Sequence, residues 1–126
     1  MPTENTRFNY MYRDASNYKS CGSVVFRGGI AEALSTRLSA ALESTEFFIA
    51  DQIRIADVFL ADWPLEQDDH CWHAFSDTEL TSDAPDDPHV RTIEEFVAEV
   101  ERVSMEGWKI FDPMHRAASR RQPSRG

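Results

Sequence analysis

The sequence predicts an α+β fold: a mainly antiparallel sheet of four to five strands with two helices, about 30–43 and 93–106, packed on one face. Three observations carry this expectation. The N-terminal third holds one segment with the period-two alternation of a half-buried strand and a second short strand candidate after a turn. Two later segments carry apolar residues at helical spacing. The order of elements is strands, helix, strands, helix, rather than a regular strand–helix repeat.

Residues 1–6 are polar and expected to fray. In "RFNYMYR", Phe8, Tyr10 and Tyr12 fall on one side, and Arg7, Asn9, Met11 and Arg13 on the other, which is a strand pattern. "DASNYKSCG" supplies turn formers, and "SVVFR" is a second strand closed by Gly28-Gly29. From about 30 to 43, Ile30, Leu34, Leu38 and Ala41-Leu42 recur at helical spacing in an Ala/Leu-rich run. "EFFIA" is a short apolar run, expected to be a buried strand. In "DQIRIADVFLADW", Ile53, Ala56 and Leu60 fit a helix face, while Ile53 with Ile55 and Val58 with Leu60 fit strands. The expectation is a turn and then a strand near 57–61, stopped by Pro64.

"DDHCWHAFSDTEL" resumes alternation, with His70, Trp72, Ala74 and Ser76 on one face and Cys71, His73, Phe75 and Asp77 on the other. "TSDAPDDPH" reads as a loop. Thr92 and Glu95 then form a capping box ahead of Ile93, Phe96, Val97, Val100 and Val103, a helix over 93–106 ended by Gly107. "WKIF" is placed to dock back on the core. Residues 7–114 are thus expected as one domain, with 115–126 a basic, flexible tail.

With 126 residues, 41% hydrophobic and 28% charged, the chain can build a core and is not of disordered composition. Two cysteines make no disulfide framework, no apolar run approaches a membrane span, and the N-terminus lacks a secretory pattern. A cytoplasmic location with free thiols is expected. The net charge of −9 is unevenly spread: "HRAASRRQPSRG" has four arginines and no acid, so without them the charge is −13. Between Asp51 and Asp87 stand eleven acids and one base, Arg54, half of the 22 acids in the chain. Such a field disfavours nucleic-acid binding by the body and suits a basic partner surface. Asp62, Trp63, Glu66, Asp68, Asp69, Asp86 and Asp87 are the expected partner-binding residues, with Trp63 as an aromatic anchor. The leading expectation is a non-enzymatic binding protein without a cofactor or membrane partner. A homodimer through an unpaired sheet edge is the other partner considered.

The alternative is a metal-binding or metal-dependent module at His70, Cys71 and His73, with zinc as the metal and Asp68 or Asp69 completing a tetrahedral set. Strand geometry opposes it, because His70 and Cys71 then point to opposite faces and only Cys71 and His73 share one. The competing expectation is a strand with Trp72 or Phe75 buried and the histidines at its edge. Lys19 near Cys21 could lower that thiol's pKa, but no histidine base is placed beside it. Gly28-Gly29 matches no phosphate-loop pattern and suits unusual backbone angles instead.

The segments "YMYRDASNYK", "VVF", "EFFIAD" and "DDHCWHAF", in that order, resemble a family of small uncharacterised bacterial proteins. The likeness covers roughly residues 7–80 and implies no catalytic residues, since that group has no established activity. In size and charge alone, the chain is also similar to phage or plasmid inhibitors of host defence.

Overall fold

The aromatic alternation in the N-terminal segment does form a strand, and it lies inside the sheet. In the computed structural model, which describes residues 4–13, 19–56, 58 and 72–110, strand β1 (Asn5–Arg13) has antiparallel neighbours on both sides. They are β2 (Lys19–Phe26) and β4 (His73–Thr81), and the two-residue β3 (Phe47–Phe48) pairs with β4. The sheet order is β2-β1-β4-β3. Helices α1 (Glu32–Ala41) and α2 (Ile93–Glu106) complete the α+β fold, with a 3₁₀ turn at Ala50–Ile53.

Phe8, Tyr10 and Tyr12 of β1 are buried on the helix-covered face, together with Val24 and Phe26 of β2. Against them pack Leu34, Leu38 and Ala41 of α1 and Ile93, Phe96, Val97, Val100 and Val103 of α2. Phe96 joins the helix to the sheet: its ring stacks on Phe26 at 4.2 Å and meets Phe8 edge-on at 5.1 Å. Each such fully buried ring removes enough apolar surface to stabilise the fold by roughly 1.5–3 kcal/mol. The capping box of α2 is present in full: Thr92 Oγ1 accepts from Glu95 N–H at 3.0 Å, and Glu95 Oε1 accepts from Thr92 N–H at 2.9 Å.

Two expectations change, and one falls on residues outside those described. The run "EFFIA" gives only two strand residues, because Ala50 starts the 3₁₀ turn, which Arg54 closes in a left-handed conformation (φ 59°). The strand expected near 57–61 falls outside the described residues apart from Val58. The alternation along β4 is broken by a bulge: Tyr10 pairs with Phe75 but Asn9 with Asp77, so Ser76 is an extra residue. His73 and Phe75 therefore face the core, while Asp77 and Glu79 turn to the opposite face, beside Asn9 and Arg7. Among the described residues, no helix is long and apolar enough to cross a membrane.

Candidate interaction surface

Of the expected partner-binding residues, Asp62, Trp63, Glu66, Asp68 and Asp69 lie outside the described residues, as do His70 and Cys71 of the metal alternative. Asp86 is exposed, but its carboxylate has a structural duty. Asp86 Oδ1 accepts from Val25 N–H at 2.7 Å and its own N–H donates to Val25 O at 3.0 Å. The 82–90 loop is thereby clipped to the outer edge of β2.

Asp87 corrects the sequence reading, for it is buried. Its two oxygens take Arg91 Nε at 2.9 Å and Nη2 at 3.0 Å, and its Oδ2 also accepts the Arg91 backbone N–H. The remaining guanidinium donors go to Ile53 O (2.7 Å), Arg54 O (3.0 Å) and Glu99 Oε1 (3.2 Å). All five N–H groups of the Arg91 fork are thus satisfied. The guanidinium also lies 5.4 and 5.3 Å from the Phe26 and Phe96 ring centres. Arg54 adds a bidentate pair to Glu99, at 2.8 and 2.6 Å. Burial pushes the Asp87 carboxyl up, but hydrogen bonds and charge from Arg91 outweigh it and leave that carboxyl below its ordinary value. Hydrogen bonds from Arg54, with help from Arg91, likewise hold the Glu99 carboxyl low against burial. This cluster ties the 3₁₀ turn, the loop and α2 together; it is interior architecture.

The acids that do reach solvent as a group were not singled out from sequence. On the sheet face opposite the helices, Arg7 pairs with Glu79 at 3.2 Å and with Asp83, while Asn9 Nδ2 donates to Asp77 at 2.7 Å and to Glu79 at 3.4 Å. Two carboxylates thus pair with one guanidinium, and a third, Asp77, is held beside them by Asn9. The alternating 77/79 spacing was the signal available in the chain, but the bulge at Ser76 decides which face it addresses.

His73, expected at a strand edge, is fully buried, and its Nε2 accepts from Val58 N–H at 3.0 Å. A neutral imidazole that accepts at Nε2 carries its proton on Nδ1, which leaves no lone pair for a metal. Among the described residues, no three His, Cys, Asp or Glu side chains converge as a metal group. Cys21 is exposed on the sheet face opposite the helices, whereas His73 is interior and the His89 Nδ1 sits 3.5 Å from Arg54 Nη1. Neither histidine serves Cys21 as a base. Gly28, at φ 96°, has the backbone role expected of it: its N–H donates to Asn5 Oδ1 and its carbonyl accepts from Thr6 Oγ1.

At the β3 end of the sheet, Glu43, Phe47, Trp72, Trp108 and Ile110 line a groove of about 530 Å³. Trp72 and Trp108 meet edge to face at 6.3 Å. Compared with known proteins, the chain matches no protein-family model, no curated protein and no solved structure.

Proposed function

We propose that this chain is a non-enzymatic binding protein that engages a basic protein surface, such as the nucleic-acid groove of a host or defence protein. The observation that carries the reading is the group of exposed carboxylates Asp77, Glu79 and Asp83 by the sheet face opposite the helices, where Arg7 pairs with Glu79 and Asp83 and Asn9 donates to Asp77 and Glu79. Hydrogen bonds from Asn9 to Asp77 and Glu79 and from Arg7 to Asp83 orient these carboxylates in advance, which lowers the entropy lost when a cationic partner meets them. The net charge of −9 supplies a long-range field of the same sign, which speeds encounter with a cationic partner.

The test is capture of basic proteins from a cell lysate at low and at high salt, with wild type and the Asp77→Asn/Glu79→Gln/Asp83→Asn variant. Basic proteins retained at low salt, released at high salt and retained less by the variant are the expected result. Equal retention by both proteins would overturn the role given to this face. Asp87 is deliberately left intact, because neutralising it would strand Arg91 inside the fold.

A further inference from the structure

The groove at the β3 end has a chemistry that complements a cation. Glu43 and Phe47 are held side by side by reciprocal backbone bonds, Glu43 N–H to Phe47 O at 2.7 Å and Phe47 N–H to Glu43 O at 2.8 Å. The turn between them is tight enough to put Ser44 and Thr45 at positive φ. Trp72 immediately precedes β4, whose Ala74 pairs with Phe47. Trp108 follows α2, and the next residue is tied back by Gln52, which donates to Lys109 O at 2.6 Å and accepts from Lys109 N–H at 3.0 Å. Four of the five described lining residues therefore come from anchored backbone.

Aromatic faces carry negative quadrupole density, and a carboxylate at their rim adds a full negative charge. The Glu43 carboxylate is exposed, and among the described residues it has no ion-pair partner and no base lines the groove. A small anion would meet repulsion here, and a purely aliphatic group would leave the carboxylate without a partner. A planar cation on an aliphatic stem satisfies both, stacking on an indole while its N–H fork reaches the carboxylate.

We propose that this groove receives an arginine side chain of the basic partner, with Trp72, Trp108 and Phe47 embracing its stem and guanidinium and Glu43 pairing with it. This rests on, and deepens, the binding role given above. The volume lies within the range of pockets that enclose small-molecule ligands, roughly 300–1,000 Å³, and so leaves room for an arginine side chain.

The experiment titrates the full chain with a blocked Gly-Arg-Gly peptide and with its citrulline counterpart, neutral but of the same shape, and follows the indole N–H resonances of Trp72 and Trp108. The arginine peptide is expected to shift both resonances saturably, with the citrulline peptide and the Glu43→Gln variant each about fivefold weaker, as loss of one exposed cation contact implies. Glu43 is exposed, so that variant tests recognition without disturbing the core. Equal response to both peptides, or indifference to Glu43→Gln, would overturn the groove assignment. Should lysate capture persist and depend on Asp77, Glu79 and Asp83 while the indoles ignore arginine, the groove inference falls and the binding role stands. Should the arginine peptide fail to bind and no basic protein be captured from lysate, both fall.

Discussion

Arg91 shows how one residue can organise a fold from inside an ion pair. Its guanidinium is buried, and the five donors are divided among Asp87, Glu99 and the carbonyls that end the 3₁₀ turn. Desolvating such a pair is costly, so its existence is weak evidence of net stabilisation, but removing one partner leaves a buried charge uncompensated. Arg91→Met is therefore expected to lose about 3–5 kcal/mol of unfolding free energy, measured by urea denaturation. The double variant Asp87→Leu/Arg91→Met should lose less than the single one, since no charge is then stranded. An additive double variant would show that the pair does not act as a unit. Gly22 is another residue whose identity is set by its surroundings: a Cβ there would lie 2.6 Å from Val58 Cγ1 and 3.1 Å from Tyr10 Cζ.

At the scale of elements, α2 was the most legible. Its apolar spacing, Thr92/Glu95 box and terminal Gly107 are local signals, and the helix runs over the residues they delimit, Ile93–Glu106. Thr92→Ala should cost about 1 kcal/mol, read from the thermal or urea midpoint, because Glu95 N–H loses its acceptor. An unchanged midpoint would mean that water replaces the cap at no loss. Helix α1 lacks a side-chain cap and is shorter than its apolar spacing suggested, Glu32–Ala41. Strand β4 was legible as a strand but not in its facing. The bulge at Ser76 arises from pairing with β1, and a period-two pattern read along one segment cannot register a residue inserted against a partner strand. The same limitation hid His73, whose burial depends on Val58 arriving from a different part of the chain.

Across the whole molecule, charge acts in two opposed ways. The net charge of −9 repels itself, while Asp87, Glu99 and Glu101 are held below their ordinary carboxyl values. For Glu101 the leading cause is its hydrogen bonds from Arg37 at the α1–α2 contact. Groups with lowered folded-state values contribute stability that is fully present above the unfolded carboxyl range, near pH ~4, and is lost as pH falls through the folded values. The thermal midpoint should accordingly fall on acidification below about pH 4. A midpoint that continues to rise through that range would mean that relief of self-repulsion outweighs these pairs.

By itself the sequence determined the fold class, the inward-facing aromatics of β1, the position of α2 and the excess of acid, because these rest on local periodicity, capping chemistry and composition. Tertiary structure alone decided which acids point outward. Asp87 and Asp77 are both aspartates in one acidic stretch, yet one is enclosed by Arg91 and the other stands on the open sheet face. Burial and facing are properties of what packs against a residue. Arg91 stands only four residues along the chain from Asp87, but the 3₁₀ carbonyls that fix its guanidinium over Asp87, and Asn9 across a bulged pair for Asp77, are brought in by the fold rather than by proximity in the chain.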